Sequence, residues 1–325
     1  MRKGLTLVEL LVSVVMFLII IAAVYSFFIS FLNQQTFQRK KAEALKETRI
    51  AFRVLEDDIR HAGFGFPKSS PCKDKGLCLF FVEDNCDYHN EQFCKTGTDR
   101  FFVADGWKII KDFTLDGYPD GNITNIDYEL LASSKFSAKV LYYSDGDDFI
   151  VVDRLDIDNK TDVVNHKADD IVAKKGIIVC GRTNNGGRVG QEGRRIEKII
   201  SVSSGWELKF HSLENPLDYK NDCSGDRGIV LPANVWYVRE KDGHYWLYRN
   251  ESPVLQDVED FQIHVGYDFD GDGVVEDSEW INAGSLPDDA SYTKLKFFWF
   301  EIKKVFYWKG KKYQVDNTLR VEAFH

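Results

Sequence analysis

One stretch of twelve residues combines oxygen-bearing side chains with the spacing that holds a hard cation. In Asp268-Phe269-Asp270-Gly271-Asp272-Gly273-Val274-Val275-Glu276-Asp277-Ser278-Glu279, carboxylates take the first, third and fifth places, glycine the sixth, an apolar residue the eighth and glutamate the last. That order is the calcium-loop pattern. Calcium gathers about six to eight oxygens, and alternation along the chain points the first three acids at one centre. The glycine permits the turn that brings Glu279 back. Asp268, Asp270, Asp272 and Glu279 are the expected side-chain ligands, with Val274 lending its carbonyl and Glu276 a direct or water-mediated contact. The flanks are not those of paired EF-hands, because Phe261–Tyr267 reads as a strand and no second loop follows. The alternative is an acidic hairpin turn without metal.

Other chemistry-bearing residues are less ordered. Cys72, Cys78, Cys86, Cys94, Cys180 and Cys223 all follow the apolar N-terminal stretch, and in an exported chain their expected use is disulfides. Sequence does not choose among the pairings. Two bridges are expected among the first four and a third between Cys180 and Cys223. Zinc is the alternative, but neither C-x-x-C nor H-x-x-x-H spacing is present. Asp145, Asp147 and Asp148, and likewise Asp156, Asp158 and Asp162, read as solvated loops. Gly181–Gly193 has no G-K-[ST] and reads as a long hairpin tip. The histidines are scattered singly, and no Ser/His/Asp or Cys/His arrangement argues for an enzyme. A formal net charge of −9 speaks against a nonspecific nucleic-acid surface, which needs clustered positive charge.

These residues are carried by a chain whose beginning is unlike the rest. Arg2, Lys3 and Gly4 precede Leu5-Thr-Leu-Val-Glu9, and from Leu10 to Leu32 no charge occurs. That run is roughly 23 residues, or about 35 Å of helix, enough for a hydrocarbon core of about 30 Å. A secretory signal places its small cleavage residue after the apolar core, whereas here Gly4 stands before it. Glu9 is costly inside a membrane segment, by about 2–3 kcal/mol on lenient scales, and so calls for a partner unless it is hydrated at the interface. The pattern resembles the prepilin leader of type IV pilins and of type II secretion pseudopilins. The resemblance implies cleavage after Gly4 by a prepilin peptidase, N-methylation of Leu5, and Glu9 at the fifth mature position, facing the amine of a neighbouring subunit. It also implies a cytoplasmic N-terminus.

No proline or glycine interrupts Leu5 to Ala62. Beyond the apolar run, Leu45, Phe52, Leu55 and Ile59 recur at helical spacing with Ala51 and Ala62 alongside, and Gly63 then supplies a stop. One helix of about 58 residues and about 87 Å follows from this. Its second half is amphipathic and must rest on the sheet that comes after. From Leu79 the chain turns to short β-like runs: Arg100–Ala104, Lys139–Tyr143, Phe149–Asp153, Gly176–Gly181, Ile196–Val202, Trp206–His211, Val235–Arg239, Tyr245–Arg249, Phe261–Tyr267, Lys294–Trp308 and Leu319–Phe324. The expected fold is α+β and type IV pilin-like, a long helix packed on an antiparallel sheet with a large β-rich elaboration. Its expected divisions are a leader at 1–4, the helix at 5–62, a cysteine-containing elaboration at 63–225 and a C-terminal sheet region at 226–325.

Leu55-Glu-Asp-Asp-Ile-Arg-His-Ala-Gly-Phe-Gly-Phe66 resembles the helix exit of PilW-type minor pilins. Tyr245-Trp-Leu-Tyr-Arg-Asn250 and Val258-Glu-Asp-Phe-Gln-Ile-His-Val-Gly-Tyr-Asp-Phe-Asp-Gly-Asp-Gly273 resemble that family's C-terminal signature, where a strand also runs into an aspartate-rich loop. Residues from Pro71 to about Arg227 are outside the resemblance, and Leu5 stands where phenylalanine is usual. The resemblance implies a low-abundance subunit that primes pilus assembly with other minor pilins and the major pilin. Such a subunit moves from the inner membrane, with its C-terminal part periplasmic, to the extracellular filament tip, often beneath an adhesin. The alternatives are a J-type minor pseudopilin of type II secretion and a membrane-anchored, calcium-dependent adhesive protein.

Overall fold

The computed structural model describes residues 7–62, 80–86, 93–104, 138–142, 149–152, 176–182, 188–202, 205–210, 229–282 and 294–323. The long helix α1 runs Leu7–His61 without a break, as the absence of proline and glycine predicts. Its residues 7–32 are exposed on every face, in keeping with their all-round apolar character. Beyond them a narrow stripe is buried: Ala44, Thr48, Ala51, Phe52, Leu55, Asp58 and Ile59. Ala44, Thr48 and Ala51 are small, which lets the helix lie close to the strands beneath, and the Thr48 hydroxyl donates to the Ala44 carbonyl at 2.9 Å.

Among the described residues ten strands make the larger sheet. They are β1 Phe80–Glu83, β2 Arg100–Ala104, β3 Ala138–Tyr142, β4 Phe149–Val152, β5 Gly176–Arg182, β6 Arg188–Val202, β7 Gly205–Phe210, β8 Ile229–Lys241, β9 His244–Arg249 and β10 Ser252–Gln256. The order is β1-β2-β8-β3-β4-β7-β6-β5, with β9 and β10 added through β8 and a further pairing between β8 and β5. The second sheet contains β11 Val258–Tyr267, β12 Trp280–Asn282, β13 Leu295–Trp308 and β14 Lys311–Glu322, in the order β12-β11-β13-β14. The two sheets divide at Asp257, so β8, β9 and β10 belong to the larger one. Among the described residues the strand pairings are antiparallel, as the short connections predict.

Two of the hairpins turn on paired positive φ angles. Asp242 and Gly243 (55° and 77°) join β8 to β9, and Lys309 and Gly310 (50° and 74°) join β13 to β14, both suited to type I′ geometry. The second pair lets β14 follow β13 directly, where the sequence pattern leaves 309–318 between strands. β14 begins at Lys311, not at Leu319.

Helix and sheets share one core. Ala51, Phe52, Leu55 and Ile59 meet Phe101, Trp236 and Leu247 of the larger sheet and Phe261, Phe298, Phe300 and Ile302 of the smaller. The rings interlock across the layers, with Phe80 and Phe298 at 4.8 Å and Phe101 and Phe300 at 5.2 Å between centroids. On the opposite face of β2, β8 and β9, Phe102, Val235, Tyr237 and Tyr248 pack under Phe93 and the Cys86–Cys94 disulfide. The result is the expected α+β arrangement, one long N-terminal helix on antiparallel β-structure.

Candidate functional site

The acidic loop leaves β11 at Tyr267 and re-enters at β12 through a short 3-10 helix, Asp277–Glu279. Its carboxylates organise its own backbone. Asp268 accepts the N–H groups of Gly271 (2.6 Å) and Gly273 (2.9 Å), Asp270 that of Asp272 (3.1 Å), and Asp272 that of Val274 (2.7 Å). Glu279 reaches back to accept from Phe269 (2.7 Å) and Glu276 (3.0 Å). Gly271 and Gly273 have φ of 83° and 90°, a conformation open to glycine and costly for other residues.

Carboxylate oxygens of Asp268, Asp270 and Glu279 lie within 4.8 Å of one another. Asp268 and Glu279 are buried and Asp270 is exposed, so the group is open on one side. Desolvation would raise the Asp268 carboxyl, but the N–H groups of Gly271 and Gly273 and the charge of Lys296 hold it below the usual carboxylate range. Lys296 Nζ is 3.8 Å from Asp268 Oδ2. Three convergent hard oxygens fit an oxygen-preferring divalent cation. Of the six residues expected around it, the structure brings these three together. Asp272 caps Val274, and Glu276 accepts from the Glu279 backbone in a capping box. Val274 presents an exposed side chain.

At the other end of the molecule Glu9 lies in the first turn of α1, and Ser13 donates to its carbonyl at 2.8 Å. Gly4 and Leu5 lie outside the described residues. So do Cys72, Cys78, Cys223 and the aspartates at 145, 147, 148, 156, 158 and 162. Cys180 is in β5. Cys86 and Cys94 form a disulfide, which pairs two of the first four cysteines with each other. Of the stretch Gly181–Gly193, Gly181 and Arg182 lie in β5 and Arg188–Gly193 in β6, its antiparallel partner, and 183–187 lie outside the described residues. A Cβ on Gly193 would stand 2.6 Å from the Phe102 ring and 2.7 Å from that of Phe81, so glycine is needed for this close approach.

A buried clasp at Asp58 was not evident from sequence. Its carboxylate accepts from Trp236 Nε1 (2.8 Å), Arg249 Nε and Nη2 (both 2.7 Å) and Asn234 Nδ2 (3.3 Å). The end of α1 is thereby fastened to β8 and β9. The one signal available in the sequence is a carboxylate three residues after Leu55, within the apolar stripe.

Residues 1–25 match the family described as the prokaryotic N-terminal methylation motif. No curated protein and no solved structure matches the chain. α1 is long and apolar enough to cross a membrane. The motif and helix together support a type IV pilin- or pseudopilin-like protein, anchored in a membrane and handled by prepilin peptidase, and they point to a structural subunit in place of an enzyme.

Proposed function

We propose that the chain is a PilW-type minor pilin that primes type IV pilus assembly and resides in the filament tip complex. The observation that carries this reading is the methylation motif at residues 1–25 continuing into a helix that is exposed over 7–32 and then packed on antiparallel sheet. A helix of that kind serves two environments in turn, a bilayer before assembly and the bundled helices of a filament afterwards. Glu9, the charged residue of the first turn, offers the neighbouring subunit's methylated amine a partner in a medium where an isolated charge is costly. The other minor pilins and the major pilin are the partners this reading names, with a tip adhesin where one is present.

The acidic loop completes the proposal. Asp268, Asp270 and Glu279 would supply carboxylates to a calcium ion, with Asp272, the Val274 carbonyl and Glu276 completing the set. Calcium would neutralise the crowded charge and tie the end of β11 to β12.

Processing tests the reading directly. The mature chain should begin with N-methyl-Leu5, and Gly4→Val should accumulate as precursor, because a branched side chain crowds the peptidase site. Intact-mass spectrometry decides. A mature chain that retains Met1 or begins beyond Leu32 would overturn the proposal.

A further inference from the structure

The β13–β14 hairpin descends beside α1 toward the apolar anchor. Lys304 Nζ stands 3.1 Å from Glu47, and further down the Phe37 ring lies 5.5 Å from Trp308 and 4.9 Å from Tyr313. From Glu47 to Phe37 the helix falls about 15 Å, and from Lys304 to Trp308 the strand falls about 13 Å. The two elements are therefore close to parallel, and the turn at Lys309-Gly310 is the lowest point of the sheet. Phe37 is only five residues past Leu32, about 7.5 Å of helix. The headgroup layer on each side of a bilayer is about 5–8 Å deep. With Leu32 at the hydrocarbon boundary, the hairpin tip falls at headgroup level.

The chemistry of the tip suits that level. Tyr307 is 53% exposed, and Trp308 is half-buried with Lys309 Nζ 4.8 Å over its ring. Lys309, Lys311 and Lys312 are exposed. On the helix Lys40 donates to the Tyr307 carbonyl at 2.9 Å, and Arg39 and Lys41 stand at the same level on other faces of α1. No aspartate or glutamate occurs between Leu32 and Ala42 or between Tyr307 and Tyr313. Glu43, Glu47 and Asp257 line the recess above the tip beside Lys40 and Tyr307, and Glu259 holds Lys312 at 2.7 Å. Tryptophan and tyrosine favour the membrane–water boundary, and clustered lysine and arginine favour anionic lipid.

We infer that the Tyr307–Lys312 tip is a lipid-contacting foot, seated among anionic phospholipid headgroups of the membrane that α1 crosses. This rests on the membrane-anchored stage of the proposed function. Seated there, the foot would fix the rotation of the domain about its helix, so that the acidic loop at the opposite end of the sheet points away from the membrane.

The test uses the full chain reconstituted in vesicles of phosphatidylethanolamine and phosphatidylglycerol, part of it brominated high on the acyl chains. Flotation reports anchoring, and quenching of tryptophan emission reports depth. The wild-type chain should float and show a quenched component. Trp308→Phe should float and lose most of that component, whereas Trp299→Phe, about 30 Å further along β13, should keep it. Lys309→Glu with Lys311→Glu should weaken quenching in these vesicles and have little effect in phosphatidylcholine alone. A floating chain whose quenching is the same with and without Trp308 overturns the foot and leaves the anchor standing, and that is the result expected if a protein partner covers the tip instead. A chain that does not float overturns both.

Discussion

At one end of the four-stranded sheet, Trp308, Lys309 and Lys311 turn the chain beside Phe37. At the other, about 45 Å along β13, Asp268, Asp270 and Glu279 gather between β11 and β12. The basic end is held by ring packing among Phe37, Phe306, Trp308 and Tyr313, and its ammonium groups are exposed. The acidic end is held by carboxylates that bond to their own backbone, which concentrates negative charge in a small volume. The first end is ordered by contacts that need no ligand. The second is ordered by groups that repel one another, and so it is the end whose stability should answer to a cation.

The helix ties the two ends together, and cutting its upper attachment should give the largest effect. Asp58→Ala removes the acceptor for Trp236, Asn234 and Arg249. Losing one partner of a buried pair costs about 3–5 kcal/mol, and because Arg249 is 35% exposed the lower figure, about 3 kcal/mol, is expected. The hydrogen bond to Asp58 raises the Arg249 pKa and outweighs burial, which opposes the charge. Thermal unfolding of the detergent-solubilised chain measures the loss, and a change within about 0.5 kcal/mol would place the clasp among ordinary surface substitutions.

Next in size is the response of the acidic end. Calcium at about 100 times its dissociation constant should add about 2.7 kcal/mol, read as a higher midpoint than in chelator. Asp270→Ala is the cleanest way to erase that difference, because Asp270 is exposed and accepts the backbone N–H of Asp272 alone among the loop's backbone donors described above. Glu279→Ala should also lower the chelated midpoint, since it unpairs the N–H groups of Phe269 and Glu276. Equal midpoints with and without calcium would reduce the loop to an acidic turn.

The basic end should respond to packing and not to calcium. Phe37→Ala removes three ring contacts from a half-buried site, an expected cost of about 1.5 kcal/mol, with Phe37→Leu costing about half of that. The calcium increment should be unchanged in both variants, because sites this far apart add independently. A smaller increment in Phe37→Ala would mean the two ends are coupled through β13.

What could be read in the sequence followed from local pattern. The helix was legible because nothing between Leu5 and Ala62 interrupts it, and the loop because its acids fall at fixed places. Features that depend on distant partners were not. Asp58 reads as a solvated carboxylate until Asn234, Trp236 and Arg249 are brought to it from more than 170 positions away. β8 extends well beyond Val235–Arg239 because Pro232, a residue that usually ends a strand, pairs with Ile177. The β13–β14 turn was missed because Lys309-Gly310 lacks the asparagine or aspartate that usually marks type I′, although Lys309 adopts the same positive φ. The low foot of the sheet was hidden with it.

The smallest expected effect lies between the two ends, where the disulfide-bearing segment meets β11. Asp99 donates its N–H to the Phe261 carbonyl at 2.9 Å, and its carboxylate accepts from Asn85 (3.1 Å) and Ile263 (2.7 Å). Burial, with the help of neighbouring Asp84, raises its pKa from 3.8 to about 7 against those two donors. A carboxyl raised on folding stays protonated in the native state where the unfolded chain has released the proton. Its contribution is therefore greatest below about pH 4 and declines as pH rises to about 7, after which it is level. Glu259, held low by the Lys312 hydrogen bond, and Asp268 run the other way and lose their contributions as pH falls below the usual carboxylate range. The sum should give a stability maximum on the acid side of neutrality. Asp84→Asn removes a charge that favours protonation of Asp99 while leaving burial, the larger cause, in place. The decline between about pH 4 and pH 7 should become shallower by less than about 1 kcal/mol, with the acid limb unchanged. Unfolding midpoints across that range, with chelator present to keep the acidic loop out of the comparison, measure both limbs. A steeper decline in Asp84→Asn would mean that Asp84 steadies the ionised form of Asp99, contrary to the sign argued here.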